Sequence, residues 1–518
     1  MPLKRRQFLA LGARAAAVGA GFALAGPRDA WGQGSSKEGD AGISPEVPAR
    51  SRETTAGDTP PLKRVPGLNA VEIRLGMTGD FSGPSAPVAV DALRGALAWL
   101  NETNDLGGIE GRHLTLLPLD DGGNPRRAVQ NVRTFLEDPA VFCLFNLVGT
   151  APLGAILPIL RSRRGEDLWL LGELSGAEAA RSAPYAPQVF PVRPSHRLEM
   201  AALVRTMVTA GERAFGVLHP LNAHGRSGAD AARRAIVEAG ARPVAEAAWR
   251  YGNARRRHLE AAMQHLKRQG AEAVVIAGDG AVAAEFVGLA HRGGWRPAFG
   301  IGAVHGGDGW YPELAAVGTL GDEARVWTSR PVPLADTPGL PALEELERLL
   351  LRWRPKPPAS LGAAQLDDGR TTASAIEGFL NARLLTAALR LAGPWPTRRT
   401  VADALGTLQS YDLGIRAPVS YPEDGDRGLR RVTIARWRGG RFRTAEPAGS
   451  AISEFADRAP GEAGPDAPDP ELPSAPAPDT PASDTPEASP TPADTPPESP
   501  ESQESGRRPA APRLDERT

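Results

Sequence analysis

The chain of 518 residues holds one cysteine, Cys143, and it sits inside the apolar run VFCLFNL. A lone thiol excludes an intrachain disulfide and a cysteine-clustered zinc site, and its apolar setting reads as a small core side chain, not a nucleophile. Neither sign of charge is in surplus: 60 Lys and Arg stand against 61 Asp and Glu, a net charge of −1. Nucleic acid is discounted as a partner, because neutralising a phosphate backbone takes a basic excess. The eight histidines show no metal-ligand spacing and no serine lies in a nucleophile elbow, so neither a metal site nor a hydrolase is indicated. Beyond the N-terminal segment no stretch approaches the roughly 20 apolar residues that cross a bilayer.

What is present begins with export. Arg5-Arg6, then Phe8-Leu9 and a weakly apolar Ala/Gly stretch, read as a twin-arginine signal over 1–32, with a basic amphipathic start to a cytosolic chain as the alternative. Cleavage is expected after Ala23-Leu24-Ala25 or Ala30-Trp31-Gly32, with no cysteine nearby to carry a lipid. The mature protein is therefore expected outside the cytoplasmic membrane. Residues 33–70 read as a flexible leader. Residues 446–518 form a tail rich in Pro, Ala, Asp, Glu, Ser and Thr, with Asp-Thr-Pro at 479–481, 484–486 and 494–496. Such a tail buries too little apolar surface to offset its ordering entropy and is expected to be disordered, either a spacer or a solubilising segment.

Between these ends strand and helix patterns alternate. Val71, Ile73, Leu75 and Met77 show a period of two, whereas Leu93, Leu97 and Leu100 recur at helical spacing. Asn124-Pro125 reads as an N-cap followed by proline at the first helical position. Further strands are expected at 114–119, 141–147, 168–172 and 189–192, and the series restarts at Ala214. Repeated β–α units predict a parallel sheet with helices on both faces. Two such series predict an α/β chain of two doubly wound, Rossmann-like lobes with a cleft between their strand ends. A third block, with helices over 341–353 and 371–391 and a strand over 432–437, holds too few strands for another sheet and is expected to pack back on the lobes.

Several stretches in order resemble one family. IRLGMTGDFSGP, RGALAWLNETNDLGGIEGRHLTLLPLDDGGNPRRAVQNV, FNLVGTAP and LGELSGAEAAR are similar to the opening of the branched-chain (Leu/Ile/Val-type) amino-acid binding proteins of ABC importers. EGFLNARLLTAALRLAG and YDLGIRAPVSYPEDGDRGLRRVTIARWRGGRF resemble the closing segments, so the likeness spans Val71 to Phe442. It implies the type I periplasmic binding protein fold, with three crossings between lobes near Val192, Pro333 and Gly428. Lobe 1 would then hold 71–192 and 333–428, and lobe 2 would hold 193–332 and 429–445. It further implies a monomeric periplasmic receptor that binds an amino acid or related carboxylate or amide and delivers it to a permease, with no reaction and no cofactor. A periplasmic sensor that presents its bound state to a signalling partner is the alternative.

The resemblance also nominates residues. Thr150 and Ala151 open a helix after an apolar strand, where unpaired amides and the helix dipole favour an anion; the matching family position binds the ligand carboxylate, while plain helix capping is the competing role. Ser175 matches a Ser/Thr ligand contact, with Leu174 and Glu173 beside it. Glu173 departs from the small or apolar family residue, and it either meets a ligand ammonium or faces outward. Ser82, in the Ser82-Gly83-Pro84 loop, matches a contacting loop or is turn chemistry. In LNAHGRSG, His224 replaces an aromatic that stacks on the ligand, or is a surface histidine. Asp279 is an ammonium acceptor or a turn aspartate. Asp120 and Asp121 are assigned to a structural turn, with no chemistry.

Overall fold

A computed structural model of the chain describes residues 65–137, 140–302, 311–317, 320–321, 324–363, 370–422 and 426–445. The export signal, the leader up to residue 64 and the C-terminal tail lie outside the described residues. Residues 65–70, the end of the expected leader, turn back on the body: Gly67 O accepts from Arg74 N at 2.8 Å, and Asn69 Oδ1 accepts from the amides of Val71 and Glu72.

The first half builds a five-stranded sheet in the order β2-β1-β3-β4-β5, from β1 (Glu72–Gly79), β2 (His113–Asp120), β3 (Cys143–Val148), β4 (Leu170–Leu174) and β5 (Val189–Phe190). Every pairing in it is parallel. The second half builds a seven-stranded sheet from β6 (Ala214–Pro220), β7 (Arg242–Trp249), β8 (Ala273–Ile276), β9 (Ala298–Ile301) and β10 (Val326–Arg330), extended by β14 (Thr433–Arg438) and β15 (Arg441–Thr444). Its order is β15-β14-β10-β9-β8-β6-β7, and only the pairings made by the last hairpin are antiparallel.

Helices cover both sheets on both faces, as parallel sheets require. They are α1 (Ala86–Asp105), α2 (Pro125–Leu136), α3 (Thr150–Ser162), α4 (His196–Thr209), α5 (Ala223–Glu238), α6 (Arg255–Arg268), α7 (Gly280–Arg292), α8 (Tyr311–Ala315), α9 (Pro341–Trp353), α10 (Ala373–Leu391) and α11 (Arg398–Thr407). Asn124 caps α2 through its side chain, accepting from Arg126 N, and Pro125 takes the first turn as the sequence predicts. The third block does contain a sheet, contrary to expectation. Its strands β11 (Tyr411–Asp412), β12 (Pro418–Ser420) and β13 (Gly428–Leu429) are antiparallel and two or three residues long, too short for alternation to show in a sequence.

The apolar interior of the first sheet runs on one side into α1, α9 and α10, including Leu346, Leu349, Phe379 and Leu384. There α1 and α10 approach so closely that a Cβ on Gly95 would lie 1.8 Å from Ala375 O, and one on Gly378 would lie 2.0 Å from Ala92 O. The two glycines therefore set the helix separation from both sides. Gly95→Ala is expected to lower stability by about 2 kcal/mol through overpacking, read as a drop in the urea midpoint. An unchanged midpoint would show that the helices part freely.

Candidate functional site

The site starts where β3 ends. Gly149, at φ 107°, turns the chain out of the sheet, and α3 begins at Thr150 with no side chain capping its first amides. Those amides lie at the positive end of the helix dipole, and Pro152 brings no N–H, so Thr150 and Ala151 supply the donors of the first turn. Thr150 is buried, and its Oγ1 lies 2.8 Å from Ser175 Oγ, just past the end of β4. The same Oγ1 lies 3.2 Å from His224 Nδ1, in the first turn of α5 on the other parallel unit. Three of the nominated residues thus converge from three strand ends and both sheets.

Glu173 does not face outward, and its carboxylate oxygens are engaged by donors of the protein. Its side chain is fully buried: Oε2 accepts from Ser175 N at 2.8 Å and Gly176 N at 3.0 Å, and Oε1 accepts from Arg181 Nη2 at 2.5 Å. A buried carboxylate is tolerable only with such partners. Glu173 therefore holds the loop that presents Ser175. Leu174 is buried in the core among Met77, Phe81 and Val148. Ser82 is engaged by Asp120, which accepts from Ser82 N and Oγ and from Phe81 N. Asp279 caps α7, accepting from Ala281 N and Val282 N, and burial raises its pKa despite those bonds. Neither Ser82 nor Asp279 lines the cavity beside Thr150.

Asp121 accepts from Thr78 Oγ1 at 2.7 Å and from Gly123 N, and burial pushes its pKa up to about 6. Both Asp120 and Asp121 brace the strand-end turn, as expected.

That cavity has a volume of about 350 Å³ and is walled by Thr150, Leu153 and Leu157 on one side and by Ala223, Ser227 and Ala231 on the other. Arg197, Arg234, Asp230 and Glu178 add charge to its lining. Arg197 also lies 2.5 Å from both carboxylate oxygens of Asp426. Sequence reasoning missed Arg197, Ser227 and His196. The His196 ring meets that of His224 edge-on, with centroids 5.0 Å apart, its Nδ1 lies 2.9 Å from Ser227 Oγ, and its N donates to Gly176 O at 2.7 Å. The one signal available was Ser195, an N-cap that marks where α4 starts.

Arg193, between β5 and α4, centres a cluster of buried charge. Arg193 Nη2 lies 3.2 Å from Glu199 Oε1 and its Nε lies 3.6 Å from Glu377 Oε2, while Ser329 Oγ donates to Glu199 Oε2 at 3.1 Å. Burial opposes the charge of Arg193, but Glu377 and Glu199 outweigh it and hold the guanidinium firmly protonated. For Glu377 burial wins over Arg193, and with Glu199 and Glu173 adding repulsion its pKa rises to about 7.

The family model described as periplasmic binding protein matches residues 72–441. The chain belongs to the periplasmic binding protein family. Members of this family are substrate-binding proteins, not enzymes, and the family places the protein outside the cytoplasm. Among curated proteins none matches the chain. Among solved structures, a possible leucine/isoleucine/valine-binding protein from Rhodopirellula baltica SH 1 is 21% identical, covers 74% of this chain and 98% of its own, and superposes with a TM-score of 0.61. A branched-chain amino acid ABC transporter protein from Thermus thermophilus, with bound valine, gives 17% identity, 74% and 98% coverage and a TM-score of 0.61. A fatty acid ABC transporter substrate-binding protein from Thermomonospora curvata gives 16%, 74% and 94%, and 0.61. At these identities the likeness carries the type I periplasmic binding fold and leaves the ligand open. Among the described residues no helix of this periplasmic binding protein is long and apolar enough to cross a membrane.

Glu377 gives the stability of the fold a pH signature. A carboxyl whose folded pKa lies above its unfolded value, here 4.5, contributes stability that is complete below 4.5 and is lost as pH rises through about 7. Glu377→Gln should flatten that fall in denaturant midpoint between about pH 5 and about pH 8. An unaltered slope would assign the pH dependence to other groups.

Proposed function

We propose that this protein is the solute receptor of an ABC importer: it binds an amino acid or a related small carboxylate or amide between its two parallel units and delivers it to a permease in the inner membrane. The observation that carries this reading is the convergence of Thr150, Ser175 and His224 beside the 350 Å³ cavity. Its volume falls at the lower end of the range for small-molecule sites, of order 300–1,000 Å³. A carboxylate entering from it would take hydrogen bonds from Thr150 Oγ1 and from the amides of Thr150 and Ala151, in exchange for the contact between Thr150 and His224. That exchange costs little, because one hydrogen bond replaces another and the new ones carry charge. Leu153 and Leu157 suit an apolar portion of the solute, and the charges of Arg197, Asp230 and Arg234 suit a second polar group. The structural relatives named above carry valine in one case and are described for fatty acids in another, so the side-chain pocket, not the fold, selects the solute.

Export by the twin-arginine route belongs to the same reading. Replacing Arg5 and Arg6 with lysine is expected to leave the precursor in the cytoplasm on fractionation, and normal export of that variant would reject the route.

The binding reading is tested by thermal shift against branched-chain and acidic amino acids, amides, aromatic carboxylates and short fatty acids. A true ligand at 100 times its dissociation constant adds about 2.7 kcal/mol of stability. Thr150→Val, which keeps shape and amide but removes the hydroxyl, should weaken that ligand by about 1.5–3 kcal/mol, roughly 10- to 150-fold. Equal affinity in the variant would remove Thr150 from the site.

A further inference from the structure

We propose that the arginine-lined outer face of the β14–β15 hairpin is the docking surface for the chain's own acidic C-terminal segment, residues 446–504. In the hairpin Arg436 stands directly opposite Arg443 and Arg438 directly opposite Arg441, which places all four on one face of the sheet. Trp437 and Phe442 pair on the other face, buried, with ring centroids 5.2 Å apart. The aromatic side is buried, and the cationic side, which packs into the core at Val432 and Ile434, opens outward toward the turn at Arg438, Arg441 and Arg443.

Like charges placed opposite one another across a ladder repel, and nothing in the described part offsets this set in full. Arg436 is half-buried and lies 5.2 Å over the Trp327 ring, whereas Arg438, Arg441 and Arg443 are exposed. Among the described residues the carboxylate in ion-pair reach of the four is that of Asp336, 3.9 Å from Arg441. β15 is also the edge of the seven-stranded sheet. Charge does guard an edge strand against foreign strands, but that task does not call for cationic pairs set face to face.

The counter-charge is supplied where the chain continues. β15 ends at Thr444 and the first acidic residue is Glu446. Residues 446–504 hold 14 Asp and Glu and a single base, Arg458. Over 446–518 the net charge is −11, whereas residues 33–445, after the expected export signal, carry +6. Near-neutrality overall thus conceals two oppositely charged parts joined at the hairpin itself. The tether keeps the acidic segment at high effective concentration over the arginines, so pairs that are individually weak act together.

The sign of a salt response tests this in the full chain by small-angle X-ray scattering. A free acidic segment repels itself and contracts as salt screens it, whereas a docked one is released and the molecule extends. The native chain should therefore lengthen in maximum dimension between about 20 mM and about 0.5 M salt. Arg438→Gln/Arg441→Gln/Arg443→Gln should reverse the sign and contract. A chain with the acidic residues of 446–504 changed to Asn and Gln, which leaves the folded body untouched, should lose the salt-driven extension even if the hairpin variant folds poorly. Contraction of the native chain would overturn the proposal and leave the arginines as an edge guard or a surface for another partner. Extension that persists in the hairpin variant would overturn it too, by moving the docking surface elsewhere.

Discussion

A carboxylate buried without water must be surrounded by donors, and the cost of Glu173 shapes the loop around it. Its two oxygens gather Ser175 N, Gly176 N and the Arg181 guanidinium, and Arg181 in turn donates to Arg427 O at 3.0 Å, on a segment from the far end of the chain. That set fixes Ser175, Ser175 Oγ fixes Thr150 Oγ1, and Thr150 is the first sheet's side of the contact with His224. The candidate site rests on a buried carboxylate that does not line its cavity. Removing one partner of such a pair leaves the other buried and uncompensated, so the whole strand-end loop is held to a single arrangement.

The segment between β5 and α4 repeats the pattern. Arg193 sits between Glu199 and Glu377. Arg427 lies 5.3 Å over Phe190 and 5.5 Å over Tyr421, whose hydroxyl donates to Pro191 O at 3.0 Å. Directional contacts of this kind define where the chain bends more tightly than apolar packing does, since a hydrogen bond weakens steeply with angle.

The fold was legible because it rests on period. Ile73, Leu75 and Met77 alternate into the core, and α9 runs from Pro341 to Trp353, the span expected for it. Thr150, Ser175 and His224 were legible as strand-end and helix-start positions, since those ends face the cleft in a doubly wound fold. What escaped lacks a local signal. The three-stranded sheet is built from strands too short to alternate. Glu173 reads as an exposed carboxylate until Arg181 is folded onto it, and His196 and Arg197 enter the site only because α4 starts beside Gly176. Pairings of this sort are decided by tertiary packing, which propensity and spacing do not encode.

A periplasmic binding protein is distinguished from its relatives by what it holds, and the fold leaves that to a few side chains. The most direct measurement is a crystal structure with the solute found by thermal shift. Its carboxylate or amide oxygen should lie within hydrogen-bond distance, about 3 Å, of Thr150 Oγ1 and Ala151 N, with His224 turned from Thr150 toward the guest. A solute bound elsewhere, with Thr150 still bonded to Ser175 and His224 as before, would contradict the site.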